Sequence, residues 1–265
     1  LIRFGTKGET LARLAPRLTT ASILPLVLIT RADWESRRER ELRKIIAASW
    51  SRRPMIARSS ARAEDRRGAS LAGKFLSIAG VAAPDIAPAA DHVFASYGTR
   101  HPGDQVLIQP MLEGAQVAGV AFTRDPASGA PYVIVNYARD GDTAAVTGGK
   151  AGNLSTFMAV RGRRLSGWRG SLMKTIAELE RVLDADTLDI EFAVDRRGRM
   201  VVLQVRPLAT VRRSVITDQA HTALLGQIAD RVTRASQEYP NVAGARTILG
   251  VMPDWNPAEM IGVRP

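Results

Sequence analysis

The local pattern that best suits chemistry runs Asp189-Ile190-Glu191-Phe192-Ala193-Val194, through Asp195-Arg196-Arg197-Gly198, to Arg199-Met200-Val201-Val202-Leu203-Gln204-Val205-Arg206. Strand alternation puts Ile190, Phe192 and Val194 on one face and Asp189 and Glu191 on the other. In the second run Val201, Leu203 and Val205 share a face, and Val202, Gln204 and Arg206 share the opposite one. Burying both apolar faces together requires Val194 to pair with Arg199 across a loop of four residues, Asp195–Gly198. Asp189 then faces Gln204, with Glu191 and Arg206 on the same surface. The carboxylates of Asp189 and Glu191 and the amide oxygen of Gln204 suit a hard cation with oxygen ligands, such as magnesium carrying a nucleotide. Arg206 suits bidentate contact with a phosphate. A half-exposed amphipathic hairpin with surface charges fits the same residues.

Other segments offer complementary chemistry. Gly5-Thr6-Lys7-Gly8 precedes a helix and could turn backbone N–H groups and one ammonium toward phosphate. It lacks P-loop spacing, and a plain turn is the alternative. Arg58 leaves an apolar strand into Ser59-Ser60, and an arginine buried there needs an anion. Glu64 or Asp65 could supply it. Ser70-Leu71-Ala72-Gly73-Lys74-Phe75 is a small-residue loop able to close over phosphates or to serve as a simple turn. Gln109-Pro110-Met111-Leu112 ends a buried strand and could offer an adenine edge backbone groups and apolar walls, although Pro110 has no N–H to give. His92, His101 and His221 have no matching acid or second histidine beside them, and no serine or cysteine nucleophile pairs with a base.

The elements needed to position these residues follow from periodicity and punctuation. A short helix spans 9–15 and a buried strand 24–30. A long helix spans 34–50, with Asp33 as its N-cap, and a strand covers 55–58. Residues 85–97 read as helical. Strands are expected at 106–112, 117–123, 132–137 and 155–160, then a helix at 171–183, the hairpin strands 188–194 and 200–206, and a helix near 218–237. The organisation expected is an N-terminal subdomain over 1–105, a second subdomain with the hairpin over 106–210, and a helical linker over 211–265.

Composition narrows the class. The 265 residues are 45% hydrophobic and 24% charged, as in ordinary soluble domains. Cysteine is absent, so disulfides and thiolate sites are excluded, and a reducing cytoplasm fits. The longest apolar run, near Ile23–Ile29, is too short for a membrane span, and no signal peptide is visible. The net charge of +11 invites a nucleic-acid reading, but the basic residues are scattered and few aromatics lie between them to stack bases. Leu1 in place of a starting methionine, and an end at Arg264-Pro265 with no terminal helix, lead us to expect a piece of a longer product.

In order along the chain, these segments resemble the N-terminal nucleotide-binding domain of the phosphoenolpyruvate synthase and pyruvate phosphate dikinase family. Arg58-Ser59-Ser60-Ala61-Arg62-Ala63-Glu64-Asp65 with Ala69-Ser70-Leu71-Ala72-Gly73-Lys74-Phe75 is similar to its RSS-x-x-AED…AS-x-AG-x-F signature. Val117–Pro126 looks like its SGV-x-FT-x-DP block. Asp189-Ile190-Glu191 with Leu203-Gln204-Val205-Arg206-Pro207 looks like DIE…LQ-x-RP, and the early glycine–lysine turn is similar to its GGK loop. The first and third blocks are specific; the turn is not. Coverage is about residues 5–210.

The resemblance implies an α/β, ATP-grasp-like fold with two subdomains enclosing ATP and a helical C-terminal extension. It implies phosphate contacts and catalysis by Lys7, Arg58 and Arg206, magnesium on Glu191 and Gln204 with Asp189 near, Ser70 to Phe75 (Ser70 and Gly73 within it) over the phosphates, and Gln109, Met111 and Leu112 at the adenine. It further implies phosphoryl donation to a histidine on a swivelling domain, with phosphocarrier and substrate domains as partners. Departures are visible. Thr6 replaces the second glycine of the loop, residues 80–105 look short, and no TSHAA-like histidine motif or pyruvate barrel is present. The tail Gly250–Gly262 is similar to relatives such as glutamine kinase, so a small-molecule kinase, of the glutamine or antibiotic kinase type, is an alternative expectation, as is a basic nucleic-acid module.

Overall fold

The first helix shows how local chemistry sets the element boundaries. The computed structural model describes residues 2–61, 76–98, 100–139, 154–208 and 217–235. Helix α1, Lys7–Leu14, begins at a capping box: Thr6 Oγ1 accepts from the Glu9 N–H, and Glu9 Oε2 accepts from the Thr6 N–H, each at 3.3 Å. The helix therefore starts inside the segment expected to be a turn. Strand β1, Val27–Thr30, runs directly into helix α2, Arg31–Ile46. The cap of α2 is Thr30 and not Asp33, because Thr30 keeps an extended backbone and its hydroxyl accepts from the Asp33 N–H at 3.1 Å.

Strands β2 (Met55–Ser60), β3 (Ser77–Val81) and β4 (Gln105–Pro110) join β1 in an antiparallel sheet ordered β1-β4-β2-β3. β3 had no sequence signal, because its Ser-Ile-Ala-Gly-Val run is short and mostly exposed. Helix α3, Ile86–Ala95, packs with α2 on one face of this sheet, around Trp34, Ile45, Met55, Phe94 and Ile108.

The second sheet contains β5 (Val117–Phe122), β6 (Tyr132–Arg139), β7 (Ser155–Val160), β8 (Leu188–Val194) and β9 (Met200–Pro207), in the antiparallel order β7-β6-β5-β8-β9. Helix α4, Gly167–Leu183, buries Leu172, Ile176, Leu179 and Leu183, an i, i+4, i+7, i+11 stripe, against one face. Leu11 and Leu14 of α1 and Leu107 of β4 belong to the same core, so the first sheet and α1 are packed onto the second sheet. Deleting one such leucine side chain typically costs about 2–5 kcal/mol.

The hairpin differs from the expected register in an informative way. Val194 pairs with Met200 and Phe192 with Val202, then a β-bulge between Glu191 and Phe192 skips Leu203, so Glu191 pairs with Gln204 and Asp189 with Arg206. The core face of β9 is consequently Met200, Val202 and Val205. Val202 faces the core, opposite to expectation, while Leu203 packs with Ala115, Ala118 and Ala193 on the other side. The bulge lets two valines three positions apart face one core while both carboxylates stay off it.

The chain divides into two compact units, Leu1–Arg213 and Ser214–Pro265. The expected division after residue 105 falls at the start of β4, whose pairing puts residues 105–110 in the first sheet. In the second unit helix α5, Asp218–Ala235, carries exposed Leu224, Ile228 and Val232 at i, i+4, i+8 spacing. Among the described residues no helix is long and apolar enough to cross a membrane.

Candidate functional site

The site is built on the face of the second sheet away from α4. Cross-strand pairing sets Gln204, Glu191, Val120, Asn136 and Thr156 side by side in one row, and Arg206, Asp189, Phe122, Ile134 and Met158 in the next. The charged end of both rows lies on β8 and β9, where the sheet meets β2.

Arg58 crosses between the sheets. Met55 and Ala57 of β2 are buried in the first core, so alternation turns Arg58 the other way. Its Nη2 donates to Glu191 Oε2 at 3.0 Å and its Nη1 to the Leu203 carbonyl at 3.3 Å. The two side chains are only 12% and 20% exposed. The anion Arg58 requires is thus Glu191, far along the chain, whereas Glu64 and Asp65 lie outside the described residues. Beside it, Arg206 donates from Nε and Nη2 to Asp189 Oδ2, both at 2.8 Å. Burial pushes the Asp189 carboxyl above its ordinary range; Arg206 opposes this and the neighbouring Glu191 adds to it.

Lys7 is buried at the first turn of α1, where the Gly8 N–H donates to Ser60 Oγ at 3.0 Å. Ser60 is two residues beyond Arg58 on β2, so Lys7 sits at the end of the strand that delivers Arg58. The N–H groups of Gly5, Gly8 and Glu9 donate to Thr10, Ser60 and Thr6. The backbone phosphate cradle expected of that turn is therefore replaced by an internally satisfied helix start.

The other end of the β2–β4 ladder carries the residues expected at adenine. Gln109 is buried and its Nε2 donates to the Leu24 carbonyl at 3.3 Å, and the Met111 N–H donates to the Pro54 carbonyl at 2.8 Å. Leu112 packs beside Leu203 against the alanine cluster. Ser60 opposite Gln105 and Met55 opposite Pro110 mark the two ends of the ladder, roughly 17 Å apart at strand rise, with Arg58 between them. Ser70 and Gly73 lie outside the described residues.

Sequence reasoning missed the network that fixes α1. Thr6 Oγ1 donates to Gln105 Oε1 at 2.6 Å, Gln105 Nε2 donates to Glu9 Oε1 at 2.8 Å, and the Tyr97 hydroxyl links the Ser60 N–H to the Gln105 carbonyl. The signal was present in Thr6-x-x-Glu9, a capping-box pattern.

The donor set fits magnesium. Two carboxylates and an amide oxygen adjoin on β8 and β9, and magnesium is ordinarily held by one or two carboxylates together with phosphates and water. Among the described residues no group of three or more acidic, histidine or cysteine side chains could hold a metal ion.

Two antiparallel sheets with helices packed against them make a mixed α/β fold. Solved structures similar to the chain include the VanG D-Ala:D-Ser ligase from Enterococcus faecalis (12% identity, 82% of this chain and 56% of that one, TM-score 0.46). They also include D-alanyl-alanine synthetase A from Vibrio cholerae (13%, 84% and 59%, TM-score 0.47) and the D-alanine-D-alanine ligase from Helicobacter pylori (16%, 77% and 54%, TM-score 0.46). The chain spans less than two thirds of the length of each. No family model matches the chain, and no curated protein does.

These findings correct the resemblance. The similar structures are named as ligases and a synthetase, not as phosphoenolpyruvate synthase or pyruvate phosphate dikinase, and no family model links the chain to that family. Membership of that family, phosphoryl donation to a histidine on a swivelling domain, and phosphocarrier and substrate domains as partners are set aside. The small-molecule kinase and nucleic-acid alternatives go with them. Many arginines that suggested a nucleic-acid surface are committed to ion pairs, including Arg38 with Asp91, Arg124 with Asp186 and Arg161 with Glu180.

Proposed function

We propose that residues 2–208 form the nucleotide-binding body of an ATP-dependent enzyme, holding ATP with magnesium where β2 of the first sheet meets β8 and β9 of the second. The reading is carried by one observation: Arg58 of one sheet lies 3.0 Å from Glu191 of the other, which itself is paired with Gln204.

In this reading Lys7, Arg58 and Arg206 hold phosphate oxygens, while Glu191 and Gln204, with Asp189 adjacent, hold magnesium. The bound cation would neutralise charge on the phosphates. Arg58 and Arg206 would orient the phosphate chain, each by a planar fork suited to bidentate contact. The adenine lies toward Gln109, Met111 and Leu112, where Leu112 and Leu203 offer apolar walls. Since the Met111 N–H is already committed to Pro54, base recognition there rests on neighbouring groups. Ser70 and Gly73 are assigned to the loop over the phosphates on the sequence alone.

Calorimetry of the full chain with magnesium and a non-hydrolysable ATP analogue tests the reading. Binding to the wild type, lost in Arg58→Ala and in Glu191→Ala while circular dichroism is unchanged, supports it. Unchanged affinity in both variants rules it out.

A further inference from the structure

Both carboxylates proposed to meet the metal are already paired with the two arginines proposed to meet phosphate. Glu191 accepts from Arg58 at 3.0 Å and Asp189 from Arg206 at 2.8 Å. The four side chains carry no net charge together. Three of them are at most one-fifth exposed, and Arg206 is 37% exposed.

We infer that the site takes up the cation and the polyphosphate only as a coupled pair, by exchange of ion-pair partners; this rests on the nucleotide reading above. A polyphosphate arriving without metal must draw Arg58 and Arg206 from Glu191 and Asp189, leaving two poorly solvated carboxylates beside an anion. A metal arriving alone must draw the carboxylates away and leave two guanidinium groups beside a cation. Either half-exchange strands buried charge, which is costly. Together the ligands satisfy all four groups: arginines turn to phosphate and carboxylates to the cation. No covalent bond changes. Arg58 is also one of the contacts between the sheets, so the exchange replaces that direct contact with one through the ligand.

The charges make the sign of a mutant effect specific. Glu191→Gln keeps the shape and the acceptor for Arg58 but removes the charge that competes with phosphate. It should therefore weaken binding of the magnesium-loaded analogue while tightening binding of the metal-free one. Asp189→Asn should act in the same direction through Arg206.

The test is calorimetry of the full chain, wild type and both variants, with the non-hydrolysable ATP analogue in magnesium or in EDTA, and with magnesium alone. Thermal melts confirm folding of each protein. The expected result for the wild type is analogue binding at least about tenfold tighter with magnesium than with EDTA, and no saturable heat from millimolar magnesium alone. In at least one folded variant that ratio falls toward one, with the EDTA affinity above that of the wild type. A wild type that binds the analogue equally with and without magnesium overturns the exchange and leaves nucleotide binding standing. So do folded variants whose EDTA affinity does not exceed the wild type's. No binding of the analogue under any condition overturns the nucleotide reading itself.

Discussion

Arg58 Nη2 lies 3.0 Å from Glu191 Oε2, joining residues 133 positions apart in sequence and two separate sheets. The contact takes both groups largely out of water, with the Leu203 carbonyl as a second acceptor for Arg58, so each is exposed to loss of the other. Arg58→Ala or Glu191→Ala should each destabilise the fold by roughly 1–3 kcal/mol, less than a fully buried pair would cost because some solvent reaches both. The double substitution should cost less than the sum of the singles, a coupling of about 1 kcal/mol or more. Urea denaturation of the four proteins gives the cycle; strictly additive effects would show that the pair adds nothing.

Glu178 should make the fold acid-sensitive. Burial pushes its carboxyl up, but the hydroxyls and N–H groups of Thr19 and Thr20 outweigh this and hold it down at about 2, from an ordinary value of 4.5. A carboxyl with a lower value folded than unfolded stabilises most above the unfolded value, and its contribution fades as pH falls from 4.5 toward 2. Thermal melts across that range should show a slope that Glu178→Gln removes, along with a loss of roughly 2–3 kcal/mol at neutral pH. An unchanged slope in the variant would place the acid sensitivity elsewhere.

Glycines should separate by the room around them. A Cβ on Gly119 would lie 2.5 Å from the Asn136 carbonyl oxygen and 3.0 Å from the Phe192 ring, and one on Gly170 would lie 2.2 Å from the Leu165 carbonyl oxygen. Gly198, in the hairpin turn at φ +77°, has open space around it. Alanine at 119 or 170 should cost about 1–3 kcal/mol or more through overpacking, and at 198 about 1 kcal/mol through left-handed backbone strain. Equal midpoints for Gly119→Ala and Gly198→Ala in denaturant would contradict this.

Thr6 should matter twice. Thr6→Ala removes a cap worth about 1 kcal/mol and cuts the bond from Oγ1 to Gln105 that seats α1 against β4. Because Lys7 follows it directly, the variant should also bind the nucleotide analogue more weakly, whereas Thr6→Ser restores both. Loss in Thr6→Ser equal to that in Thr6→Ala would exclude capping as the cause.

Much of the fold was legible, and the reasons are local. β5, β7 and β8 fall within a residue of the strands expected there, and α4 within a few residues, its leucine and isoleucine stripe keeping a clean helical period. β3 was invisible because an exposed Ser-Ile-Ala-Gly-Val carries no period. The hairpin was recognised but its register was not, since a bulge at Leu203 leaves no mark in a run of valines and leucines. The same ambiguity misassigned Val202 and concealed that Glu191, not Asp189, lies opposite Gln204. The partner of Arg58 was unreadable because it depends on how two sheets meet. The family resemblance rested on short motifs, and no family model links the chain to that family.

The most direct measurement is a crystal structure of the full chain grown with a non-hydrolysable ATP analogue and manganese, whose oxygen-rich octahedral preference substitutes for magnesium. The account predicts an anomalous manganese peak at the Glu191 and Gln204 side chains, with phosphate oxygens contacting Arg58. A nucleotide bound elsewhere, or Arg58 still paired to Glu191 with analogue and manganese present, would contradict it.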